Sequence, residues 1–122
     1  MAEGQMTDTK QVGGLSVVTT FTEGVRVLTL AGEIDHHTGD QLRRALEVTD
    51  TARPRIVIDM RQVTFMDSTG INILIAAYQS VTKVGGWLRL AAPTDSVLRV
   101  LQLVGVDDVI DCRETLRQAL GN

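Results

Sequence analysis

Two short stretches near the start alternate in the manner of half-buried strands: Leu15-Ser16-Val17-Val18-Thr19-Thr20 and Val25-Arg26-Val27-Leu28-Thr29-Leu30. Thr22-Glu23-Gly24 joins them as a tight turn, which predicts an antiparallel pair. The period then changes. After Gly32 breaks the strand, Thr38 and Gln41 have the spacing of a capping box, and Leu42, Ala45 and Leu46 mark one face of a helix. That helix is over by Arg53-Pro54, because the residue before a proline avoids the helical region. Arg55-Ile56-Val57-Ile58-Asp59 is a β-branched run of the kind buried in parallel sheets. A loop follows, and from about Gly70 to Val84 the apolar residues Ile71, Leu74, Ile75 and Tyr78 fall on one helical face. Gly85-Gly86 supplies a left-handed stop.

Trp87-Leu88-Arg89-Leu90 is the next strand. Pro93-Thr94-Asp95-Ser96 opens a helix whose apolar face carries Val97, Leu98, Leu101 and Val104, and Gly105 ends it. Val109-Ile110 reads as a minimal edge strand, and Asp111 with Glu114 as the cap of a last helix with Leu116, Ala119 and Leu120 inward. The order is β-β-α-β-α-β-α-β-α, which predicts an α/β domain with a mixed, mostly parallel sheet of four to five strands and about four helices. Residues 1–14 are polar, glycine-containing and aperiodic, and read as a flexible N-terminal tail ahead of a single domain spanning 15–122.

Composition narrows the function classes. With 122 residues and 43% hydrophobic content the chain holds one core. A formal net charge of −3 argues against bulk attraction to nucleic acid or to an anionic membrane surface. One cysteine, Cys112, forms no intrachain disulfide and reads as a residue at a helix start. No apolar run approaches the ~20 residues that span a bilayer, and no secretory signal is evident, so the cytoplasm is the expected location.

Candidate chemistry gathers at Asp67-Ser68-Thr69-Gly70, where a loop empties into a helix N-terminus. The first amides of a helix lack internal partners and the dipole is positive there, so anions are favoured. Either Asp67 or Ser68 is chemically suited to do nothing more than cap the helix. A hydrolase reading lacks support, because Met66-Asp67-Ser68-Thr69-Gly70 is missing the first glycine of a G-x-S-x-G elbow. His36 and His37, the only histidines, are adjacent ahead of a helix start; as neighbours they are expected to diverge, which disfavours a metal pair. No dinucleotide or P-loop signature is present, and no cofactor is implied. Arg43-Arg44 reads as a solvated helix face.

Two motifs carry a resemblance. Leu30-Ala31-Gly32-Glu33-Ile34-Asp35-His36-His37-Thr38, and Val57-Ile58-Asp59-Met60 followed by Phe65-Met66-Asp67-Ser68-Thr69-Gly70-Ile71, stand in the order and at the separation found in the STAS domain of bacterial anti-sigma-factor antagonists. Gly85-Gly86 before a strand, and Val97-Leu98-Arg99-Val100-Leu101 before Gly105-Val106, extend the resemblance from about Leu15 to Leu120. It implies a partner-switching protein, not an enzyme. The unphosphorylated form binds an anti-sigma factor that is also a serine kinase and so frees a sigma factor. The kinase then phosphorylates Ser68, the complex dissolves, and a PP2C-type phosphatase restores the serine. Asp35, His36, His37, Asp67, Thr69 and Gly70 are implied at the partner-binding surface. The family commonly has Asp-Ser-Ser-Gly; here the third position is Thr69. The alternative is the same fold without phosphorylation, as a regulatory subunit of a transporter or signalling assembly.

Overall fold

A computed structural model describes residues 8–12, 14–47 and 52–121. Its centre is a six-stranded sheet in the order β1-β2-β3-β4-β5-β6. The strands are β1 (Asp8–Val12), β2 (Leu15–Thr22), β3 (Val25–Ile34), β4 (Arg55–Met66), β5 (Trp87–Ala91) and β6 (Asp111–Arg113). The first three run antiparallel and the remainder pair in parallel. Helices α1 (Gly39–Ala45), α2 (Ser68–Lys83), α3 (Asp95–Leu103) and α4 (Leu116–Leu120) complete the fold.

Alternation in the strands sends side chains to two separate cores. Leu28, Leu30, Ile56, Ile58, Leu88 and Leu90 point to one face, where Leu42 of α1, Leu74 and Val81 of α2, and Val97 and Leu101 of α3 cover them. Val25, Val27, Val57 and Ala91 point to the other, where α4 contributes Ala119, Leu116 and Leu120. Arg89 fixes that last helix: its Nη1 donates to the carbonyls of Ala119 at 2.9 Å and Gly121 at 2.6 Å. The expected hairpin forms at Glu23 and Gly24, both with positive φ, as a tight turn between right-twisted strands requires. Gly85 and Gly105 take the left-handed conformation that closes α2 and α3.

Several expectations are corrected. Within the segment expected to be a tail, Asp8–Val12 forms β1 and pairs antiparallel with β2, so the sheet extends beyond the five strands the pattern predicted. The rest of that segment, apart from Gly14, lies outside the described residues, as does the stretch 48–51 after α1. Strand β4 does not stop at Asp59 but continues through the expected loop to Met66, because its extra residues are absorbed as bulges against β3. The capping box of Thr38 and Gln41 does not form; Thr38 instead ties down the preceding loop. Val109-Ile110 is not the edge strand: a 3₁₀ turn at Val106–Asp108 leads past it, and the pairing falls on Asp111–Arg113. Asp111 therefore pairs with Arg113 at 2.8 Å, Cys112 lies in a strand, and Thr115 caps α4 by accepting from the Gln118 amide. Val104 is 56% exposed and does not belong to the buried face of α3.

Candidate functional site

Strands β3 and β4 end side by side, with Glu33 opposite Phe65 and Ile34 opposite Met66. Each leads into a helix on the same rim of the sheet. The Asp67 amide donates to the Ile34 carbonyl at 3.2 Å, which stitches the two exits together. Asp67 is the N-cap of α2: its backbone is extended, and its Oδ1 accepts from the Thr69 amide at 2.9 Å. Helix α2 therefore starts at Ser68, not near Gly70, and Ser68 occupies the first helical position with its side chain exposed. The capping duty falls on Asp67. Thr69 is half-buried because its methyl faces α1; a Cβ on Gly39 would lie 2.8 Å from Thr69 Cγ2. Gly70 is buried, and an added Cβ would come within 2.6 Å of Met66 Cγ and 2.8 Å of Ile34 Cγ2. Its missing side chain serves close packing of the first turn of α2 onto the strand ends.

The facing loop is built around Asp35. Its Oδ1 accepts from the amides of His37 at 2.9 Å and Thr38 at 3.2 Å. Thr38, 2% exposed, accepts from the Asp35 amide and donates to the Glu33 carbonyl at 2.9 Å. Partial desolvation pushes the Asp35 carboxyl upward, but the two amide donors and the neighbouring imidazoles outweigh it and hold the group below the ordinary carboxylate range. His36 and His37 are exposed and do not diverge: their ring centroids are 4.0 Å apart at an angle of 39°. Among the described residues no group of three His, Cys, Asp or Glu side chains could hold a metal ion.

Comparison with known proteins bears on what this rim is. The STAS domain family matches residues 16–119. The chain belongs to the STAS family. The anti-sigma-F factor antagonist RsfB of Mycobacterium tuberculosis is 32% identical over 109 residues, covering 87% of either chain. The anti-sigma-B factor antagonist of Listeria monocytogenes is 31% identical over 94 residues, 76% of this chain and 82% of that one. Among solved structures, an anti-sigma factor antagonist from Mycobacterium paratuberculosis superposes with a TM-score of 0.78 at 31% identity, covering 87% of this chain and 91% of that one.

On this STAS domain the predicted site residues separate into a surface and its support. Asp35 and Asp67 each follow one of two paired strand ends, Ile34 beside Met66, and Gly70 is buried against those same two residues. Phe65 was not singled out as a site residue from sequence, yet it is 48% exposed beside the α2 N-terminus. A groove of about 450 Å³ between α1 and α2 was also missed; Leu46, Ile73, Ala77 and Val84 line it, with Arg43 and Glu47 on its lip. An aromatic two residues before a candidate polar loop was the signal available for Phe65. Nothing in the sequence pattern marked the groove, because it depends on how two helices cross. Among the described residues no helix is long and apolar enough to cross a membrane.

Proposed function

We propose that this chain is an anti-sigma factor antagonist switched by phosphorylation of Ser68. In this reading the unphosphorylated rim binds an anti-sigma factor with serine kinase activity and so releases a sigma factor. Ser68 Oγ then attacks the γ-phosphorus of the kinase's ATP, ADP leaves, and the hydroxyl proton passes to a base of the kinase. A PP2C-type phosphatase hydrolyses the phosphoester and resets the switch. The single observation that supports the reading most is the division of roles at α2: Asp67 supplies the cap, and the adjacent Ser68 is exposed.

Physical chemistry favours release over unfolding as the outcome. A phosphate brings about −1.5 to −2 charges, and at a helix N-terminus an anion is stabilised by ~0.3–1 kcal/mol. The fold therefore tolerates it. An interface formed around a neutral hydroxyl does not, since burying a dianion beside Asp67 and Asp35 meets both desolvation and like charge. A penalty of roughly 3–4 kcal/mol lowers affinity by a factor of several hundred.

The test uses the purified chain with candidate histidine-kinase-like anti-sigma factors, ATP and magnesium. Peptide mapping is expected to place one phosphoryl group on Ser68. Ser68→Ala is expected to hold the kinase whether or not ATP is present, and Ser68→Asp to bind roughly a hundredfold more weakly. Equal affinity of the two variants, or modification elsewhere, overturns the reading.

A further inference from the structure

Leu103 is the most exposed large apolar side chain among the described residues, at 79%, and it does not stand alone. Val104 and Val109, in the same short stretch, are each more than half exposed. The stretch covers the end of α3 and the 3₁₀ turn after it, and its path is firmly held. Gly105 turns the chain at φ +80°, and the amides of Val109 and Ile110 donate to the Val106 carbonyl at 2.9 and 2.8 Å. Val106 and Ile110 are buried in the three-helix core. Folding thus anchors the inner residues of the stretch and leaves three large apolar ones in water. Single surface hydrophobes need no explanation, whereas a cluster of them marks an interaction site.

The charges beside the cluster differ in sign on its two sides. Arg99, exposed, lies one turn before Leu103 on the same face of α3. Asp107 and Asp108 follow just beyond Val104, and the Asp108 amide donates to the Gly105 carbonyl at 3.2 Å. Among the described residues none of these three takes part in an ion pair, whereas Asp111 is held by Arg113. Asp95, also exposed, stands a further turn back from Arg99. The order is therefore basic, apolar, acidic. A surface of that order is complementary to itself when turned through a two-fold axis, because the basic side of one copy then meets the acidic side of the other.

We propose that Leu103, Val104 and Val109 form the centre of a two-fold contact with a second copy of this chain, with Arg99 of each copy facing Asp107 and Asp108 of the other. Ser68 follows the end of β4, and α3 runs from beyond the end of the parallel strand β5 back to the start of β6. Its last turn therefore lies at the opposite end of the sheet from Ser68, and the contact leaves the Ser68 rim of both copies open. The patch is small beside the ~800 Å² that each partner gives to a standard interface, so the dimer is weak and its population depends on concentration.

The experiment is sedimentation equilibrium of the whole chain from about 10 μM to about 1 mM, the range in which a small interface dissociates. The average mass is expected to rise from monomer towards dimer across that range. Leu103→Asp is expected to remain monomeric throughout, with its thermal unfolding close to that of the parent because the position is exposed. Arg99→Asp and Asp108→Arg are each expected to weaken the dimer by about tenfold, and the two together to restore it to within about threefold, since both charges then exchange sign across the axis. A parent that stays monomeric at every concentration overturns the contact and leaves the patch to a different polypeptide. A dimer indifferent to Leu103→Asp, or a charge exchange that does not restore association, overturns it as well and places the contact elsewhere on the chain.

Discussion

Asp67 and Ser68 are both good capping types, and backbone geometry alone divides the work between them. Asp67 is extended and holds the Thr69 amide; Ser68 is already helical. Substitutions should separate the roles by stability. Asp67→Ala is expected to lower the unfolding free energy by about 1 kcal/mol through loss of the cap. Ser68→Ala, at an exposed position, is expected to stay within roughly 0.5 kcal/mol of the native chain. Gly70→Ala is expected to cost ~1–3 kcal/mol, because the new methyl overpacks against Met66 and Ile34. Urea midpoints at constant slope measure all three. The sequence marked this tetrapeptide as a loop running into a helix. It could not say which hydroxyl or carboxylate turns inward, since that depends on where the first helical φ and ψ fall.

At the scale of elements, β4 shows why the alternating pattern became unreadable. Ile56, Ile58 and Met60 face the three-helix core at even positions, then Val63 at an odd one, then Met66 at an even one again. The register explains the change. Thr29 pairs with Asp59 but Ala31 with Gln62, and Gly32 pairs with Val63 but Glu33 with Phe65. Each step leaves one extra residue on β4, and each extra residue reverses which face the next side chains occupy. The second reversal is what turns Phe65 outward. Asp59, only 1% exposed, lies at the first of these irregularities, where its carboxylate takes both the backbone amide and the guanidinium of Arg61, with Nη2 at 2.8 Å. Gly32 sits between the bulges with φ +111°, and a Cβ there would run into the Gly14 carbonyl oxygen. Gly32→Ala combines an unfavourable φ with a backbone clash, so a loss above ~2 kcal/mol is expected. Thermal unfolding of the variant beside the parent checks it.

For the molecule as a whole, Asp35, Asp40 and Asp111 are the described carboxylates held below their ordinary value, and each contributes to the acid limb of stability. The Arg113 guanidinium beside Asp111 holds that carboxyl below its ordinary value against the opposing effect of burial, and Asp35 is likewise held low. A folded-state pKa below the unfolded one, about 3.9, gives stability that is present above that value and is lost as pH falls through the depressed one. The melting temperature is therefore expected to be level from about pH 5 to 8 and to fall below about pH 4. Asp111→Asn is expected to flatten part of that fall. A melting curve in acid that is the same for Asp111→Asn and the parent would remove Asp111 from this role.

Local physics in the chain was enough to determine the class of fold. Hydrophobic periods of two and of 3.6, glycine stops and a proline boundary specify strands that alternate with helices, and that alternation brings strand exits to one rim. The order of the motifs carried the family. Tertiary structure decided everything that depends on two segments meeting: the pairing of Asp8–Val12 with β2, the bulges of β4, and the contact of Gly39 with Thr69. Side-chain period is a property of one segment, whereas register, exposure and the distance between loops belong to pairs of segments far apart in the chain. No pattern within either partner contains them.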